Sequence, residues 1–231
     1  LGQELICGKS LDDRACFAAL LGALELLKDR RLDVDLYVLG SVCEEVDSTG
    51  AVTAAYGVVP DLCAAVDVTH GRTPDGPKDR SCELFGGPAI GIGPNMTSWM
   101  TRRMKAKAEE NQIPWQPEVM AGHTGTNGWH MQISREGVAT SVISLPLKYM
   151  HTPIEVLALE DMEAVAKLLA AFFRDKPASA YARMFREEHA RRYRLVRPRD
   201  TTYLRSEGRI ARFFDRLRGE EYITRRIYDT L

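Results

Sequence analysis

Residues 61–70, DLCAAVDVTH, form a nearly unbroken apolar run that ends on an acid and an imidazole. A run of this length and content reads as a strand buried on both faces, and it carries Asp67 near its C-terminal end. Working outward, strand-like and helix-like stretches alternate. Upstream, DRACFAALLGALELLK (13–28) has apolar positions on nearly every side, few β-branched residues and no proline. It predicts a mostly buried helix with Asp12 at its N-terminal mouth. In DVDLYVLGSVCEEV (33–46), the alternation of Val34, Leu36 and Val38 predicts a strand over about 34–43 with Glu44 and Glu45 at its end, followed by a helix over 48–57. Downstream come a loop and strand in GGPAIGIGPN (86–95), a helix near 97–112, a strand near 117–120 and the loop AGHTGTN (121–127). A helix near 127–135 and the strand TSVISLPL (140–147) lead to His151, and a long helix is predicted from Glu155 to Arg174, with Glu160 and Asp161 near its start.

This alternation implies an α/β fold: a three-layer sandwich with a mostly parallel mixed sheet flanked by helices. Ligands in such folds collect beyond the strand ends, where the carboxylates and His151 fall. The composition is that of an ordinary globular protein, but the net charge of −1 conceals a division. Residues 1–175 carry 16 basic and 24 acidic side chains, whereas 176–231 carry 15 and 8. That excludes a uniformly basic nucleic-acid binder and suggests two parts, 1–174 and a basic, Arg-rich extension, 175–231. No apolar run approaches the roughly 18 residues needed to span a bilayer, so no membrane partner is expected. The N-terminus lacks a basic start followed by an apolar stretch, and an intracellular, cytoplasmic protein is expected. The five cysteines show no CxxC spacing and are expected to be reduced and mostly buried.

Asp12, Glu44, Glu45, Asp67 and His151 could form one polar site. Divalent metals take carboxylate oxygen and imidazole nitrogen, and two metals sharing a bridging carboxylate need about this inventory plus a base. Taken singly, each residue has a plainer reading: Asp12 as a helix cap, the Glu pair as a solvated strand end, Asp67 as a turn residue, His151 as a loop histidine. Taken together, the recurrence of acid or imidazole at successive element ends favours one site.

The blocks GKSLDDR (8–14), CEEVDSTGA (43–51), AAVDVTH (64–70), GPAIGIGPNM (87–96), GHTGTN (122–127) and LPLKYMHTPIEV (145–156) occur in this order. Together they resemble the cytosolic dinuclear-metal aminopeptidases of the TET and deblocking type, some of which are described as glutamyl aminopeptidases and some as endoglucanase homologues. The resemblance implies a zinc-exopeptidase-like fold and two divalent ions, zinc or cobalt. Asp12 would bridge them, Glu45 and His151 would hold one and Asp67 the other. Glu44 would be the general base, and Gly125, Thr126 and Asn127 would line the substrate cleft. Peptides would be the substrates, and a homo-oligomer the assembly.

The sequence also departs from that pattern. The family has a His-x-Asp motif and a small β-rich dimerisation domain upstream of LDDR, whereas the histidines here (His70, His123, His130, His151, His189) all follow it. Asp47 stands where a glycine is usual and Asn127 where an acid is usual. The expectation is a C-terminal part of such a catalytic domain, separated from its N-terminal half, with an incomplete second metal site and little activity alone. His70 and His123 are candidate substitutes for the missing ligand. A non-catalytic subunit is the alternative. Residues 176–231, with RRYRLVRPRD and RIARFFDRLRGEEY, match nothing in the family. They suit helices docking on a partner or on the parent domain better than a disordered extension or a nucleic-acid-binding tail.

Overall fold

The computed structural model describes residues 4–32 and 34–174. The expectations for 175–231 lie outside the described residues. In chain order the elements are β1 (Leu5–Gly8), α1 (Leu11–Leu27), α2 (Glu44–Asp47), α3 (Thr49–Val58), β2 (Leu62–His70), β3 (Ala89–Ile92), α4 (Ser98–Glu110), β4 (Gln116–Val119), α5 (Asn127–Met131), β5 (Ala139–Leu147), β6 (Glu155–Ala158) and α6 (Leu159–Arg174). A short 3₁₀ turn covers Lys78–Arg80.

Four strands form a mixed sheet in the order β2-β5-β3-β4. β2 runs parallel to β5, β3 runs antiparallel to β5, and β3 runs parallel to β4. All nine residues of β5 are buried, Thr140, Ser141 and Ser144 among them, so both of its faces are covered. On one face α5 closes in where Gly128 has no side chain: a Cβ there would lie 3.0 Å from Val142 and 3.3 Å from Ala65. Helices α1 and α6 pack together, and a Cβ at Gly22 would stand 3.3 Å from that of Ala166. Leu157, Leu168 and Phe172 are fully buried, each worth roughly 1.5–3 kcal/mol of transfer free energy. The expected α/β class, with a mixed sheet flanked by helices, is what these elements build.

Three local expectations need correction. Residues 34–43 form no strand and, among the described residues, pair with none. Tyr37 and Val42 are each 69% exposed. Apolar alternation supplies the pattern of a strand, but only a backbone partner makes one. The long helix predicted from Glu155 begins instead at Leu159, because Glu155–Ala158 pair antiparallel with Leu5–Gly8, and Val156 also bridges to Lys148. β1 was not foreseen, and its pairing overrides the local helical tendency of its partner. The helix predicted over 127–135 stops at Met131. Of the cysteines, Cys16, Cys63 and Cys82 are buried, Cys7 and Cys43 are exposed, and all five are free thiols.

Candidate metal centre

Three chain reversals bring the site together. The first joins β1 to α1: Ser10 is left-handed (φ 55°), and the Asp12–Asp13 peptide is cis. The second precedes α2, where Cys43 is left-handed (φ 60°) and the chain turns so that Glu44 and Glu45 open a short helix. They therefore do not end a strand but take successive positions about 100° apart around a short helix. The third follows β5, where Tyr149 and His151 are both left-handed at φ 60°. Non-glycine residues in this region each cost about 1–2 kcal/mol and persist where surrounding contacts fix them.

The three reversals converge. His151 Nε2 lies 3.0 Å from Asp12 Oδ2 and 3.3 Å from Glu45 Oε2. Ligand atoms about 2.05 Å from a tetrahedral zinc ion are about 3.3 Å apart, so these spacings match those of ligands around one ion. A second group, Asp12, Asp13 and Asp67, shares Asp12 with the first, and within each group the candidate ligand atoms lie within 4.8 Å of one another. The donor chemistry suits divalent cations, with Asp12 common to both groups, one group of mixed oxygen and nitrogen donors and one of carboxylates alone. Among the described residues neither His70 nor His123 joins a group. His123 Nδ1 instead accepts the Gly125 N–H at 3.0 Å, and its ring stacks 4.4 Å from that of Trp129.

Electrostatics set the two groups apart. Burial, then the Glu45 charge, raise the Asp12 carboxyl to about 6, against the pull of His151. Burial raises Asp13 to about 7, although the hydrogen bonds from Cys16 oppose it. Burial and then Asp13 raise Asp67 to about 9, even though Asp67 accepts the N–H of Val68 at 2.8 Å. Glu44 lies in neither donor group. Burial and Glu45 raise its carboxyl, while His130 and His151 lower it.

The loop before α5 reaches the same neighbourhood. Gly125 is left-handed (φ 66°), and the buried Thr126 caps α5 by accepting the Gly128 N–H at 3.2 Å. Asn127 Nδ2 donates to Ser41 Oγ at 2.9 Å, tying this loop to the segment that leads into Glu44. Among the described residues, the buried Asn127 Oδ1 has no hydrogen-bond partner.

Sequence reasoning missed three contributors. Asp13 was visible inside LDDR, but its role as a helix-capping acceptor for Cys16 N–H (3.3 Å) within the second donor group depends on the turn. His130 acts on Glu44 only because α5 packs against α3. Glu155, 2% exposed, accepts the N–H groups of Leu11 (2.7 Å), Asp12 (3.1 Å) and His151 (3.1 Å). Its signal was the acid inside MHTPIEV, read there only as a helix start.

Known proteins resemble this chain over most of its described length. The chain is 35% identical over 175 residues to lysyl aminopeptidase of Pyrococcus furiosus, which covers 76% of this chain and 50% of that protein. The aminopeptidase APDkam598 from the archaeon Desulfurococcus kamchatkensis superposes with a TM-score of 0.71 at 37% identity, covering 76% of this chain and 50% of that one. The TET1 peptidase of Pyrococcus horikoshii, which can assemble into a tetrahedron or a large octahedral shell, superposes with a TM-score of 0.64 at 27% identity over 76% of this chain and 52% of its own. The chain spans about half the length of the curated relatives it matches. No helix among the described residues is long and apolar enough to cross a membrane. The family model for M42 glutamyl aminopeptidase matches residues 1–168, and the chain belongs to that family.

Proposed function

We propose that residues 1–174 are the catalytic part of a metal-dependent aminopeptidase that removes residues from the N-terminus of peptides. The observation that carries this reading is the meeting of Asp12, Glu45 and His151 at ligand spacing, beside a second carboxylate group that shares Asp12. In this reading Asp12, Glu45 and His151 would hold one zinc or cobalt ion, and Asp67, with Asp12 shared and Asp13 beside it, would hold the other. Bound there, the ions would polarise the scissile carbonyl and lower the pKa of an attacking water. Glu44 stands next to this donor set without belonging to it, and its raised pKa suits a carboxylate that takes a proton from the water and returns it to the leaving amine. Asn127, with a free buried acceptor, lines the cleft together with Gly125 and Thr126 and orients the substrate backbone. A closed homo-oligomer, like the tetrahedron or octahedral shell into which the Pyrococcus horikoshii TET1 peptidase can assemble, is the proposed assembly.

The carboxylate-only second group favours a further possibility, that this chain alone holds one ion well and one poorly and works with a complementary half or as an assembly subunit. Aminoacyl-p-nitroanilide hydrolysis by the full chain, with zinc or cobalt supplied, decides between these. Turnover that disappears in Glu44→Gln supports the catalytic reading. Stoichiometric metal binding without turnover supports the subunit reading.

A further inference from the structure

We propose that Glu155 is the positioning residue of the Asp12–His151 donor pair, a buried carboxylate that fixes two distant chain segments in the arrangement where their ligand atoms meet. The inference rests on the metal reading above and concerns how the site is held together.

Glu155 is the first residue of β6, paired opposite Gly8 at the end of β1, so it stands where the chain leaves β1 for Asp12. It also follows His151 by four residues. Its two oxygens divide the work. Oε2 accepts the N–H groups of Leu11 and Asp12, at 2.7 and 3.1 Å, while Oε1 accepts that of His151 at 3.1 Å. One side chain therefore holds the backbone of a ligand from the N-terminal segment and of a ligand some 140 residues later.

Both segments need such a restraint. Ser10 and His151 adopt left-handed backbone that L-residues rarely take, and His151 is exposed in a turn without an element of its own. The His151 side chain is 67% exposed, so surrounding packing does little to orient it. Backbone anchoring by a buried group supplies that order instead. Glu155 is not itself a donor to either group: both of its oxygens are occupied by N–H groups, and it appears in neither donor cluster. Groups that orient ligands without touching a metal typically change its affinity 10–100-fold when altered.

Glutamine at this position keeps the shape but turns one accepting oxygen into an N–H₂ donor. It would then face at least one backbone N–H, on the Leu11–Asp12 side or on the His151 side. The test is a Co²⁺ titration of the full chain, followed by the visible d–d absorption of the ion, for the unaltered protein, Glu155→Gln, His151→Ala and the double variant. Circular dichroism establishes folding in each. The expected result is a folded Glu155→Gln whose Co²⁺ affinity falls about 10–100-fold. Its visible band should also change shape, and the effect of Glu155→Gln should shrink once His151 is alanine, leaving the part exerted through Asp12. A folded Glu155→Gln with unaltered affinity and band overturns the inference. So does an equal loss with and without His151, because Glu155 then does not position His151 as one of the pair. If Glu155→Gln does not fold, Glu155→Asp, which keeps the charge and withdraws the oxygens by one methylene, is judged by the same outcomes. Failure of the unaltered chain to bind Co²⁺, or a band indifferent to both Asp12→Ala and His151→Ala, overturns the metal reading itself and this inference with it.

Discussion

The two donor groups share Asp12 and little else. The outer one adds Glu45 and His151, which are 53% and 67% exposed at the side chain, and it includes an imidazole. The inner one adds Asp13 and the buried Asp67, and it contains carboxylates only. The outer group is held without a cation by short polar contacts, His151 Nε2 standing 3.0 Å from Asp12 Oδ2 and 3.3 Å from Glu45 Oε2. The inner group has no such device. Its acids are held together by the sheet and α1, so burial and mutual repulsion drive their protons on. On this contrast, exposure and ligand type, not proximity alone, would decide which cluster takes a cation first.

The largest effect that could break this comparison comes from the shared residue. Asp12→Ala is expected to lower affinity for zinc roughly 100-fold or more at both sites, as read by calorimetric titration with a competing chelator. His151→Ala should weaken only the outer, tighter phase, by about 10–100-fold. Loss of both phases in that variant would mean the groups are not distinct.

The pH response sharpens the contrast next. Asp12, Asp13 and Asp67 have folded-state values near 6, 7 and 9, against an ordinary value of 3.8. The folded chain therefore binds more protons than the unfolded one across that interval, and the stability of the metal-free chain is lost as pH rises through those values. Thermal melts from pH 5 to 9 should show falling transition temperatures without metal and a flatter profile with saturating zinc. Asp67→Asn keeps an acceptor for the Val68 N–H and removes the charge. It should stabilise the metal-free chain at pH 8 by on the order of 1–3 kcal/mol and lessen the pH slope. A slope unchanged in that variant would show that the inner group is not its source.

The smallest effect lies outside both groups. Thr126→Ala removes the hydroxyl that caps α5 and is expected to cost about 1 kcal/mol, measured by denaturant unfolding, with zinc affinity unchanged.

Much of this arrangement was legible in the residues. The largely apolar runs of β2 and β5 announce buried strands, and LDDR, CEEV and MHTP single out Asp12, Glu44, Glu45 and His151, although not the turns that bring them together. What could not be read depends on partners far away in sequence. Residues 34–43 have strand-like alternation but no ladder partner among the described residues. Glu155–Ala158 lie ahead of a helix-forming stretch but are claimed by β1. Glu155 and His130 acquire their roles only through packing, and no local pattern distinguishes Glu155 from an ordinary acid in the first turn of a helix.

The most direct test is anomalous diffraction from crystals of the full chain soaked with zinc, recorded on both sides of the zinc absorption edge. A peak about 2.0–2.2 Å from Asp12 Oδ2, a Glu45 oxygen and His151 Nε2 is expected, with any second peak weaker and on the Asp67 side. Zinc bound only elsewhere, or Asp12, Glu45 and His151 bare of density at full soak, would contradict the assignment of this cluster as the metal centre.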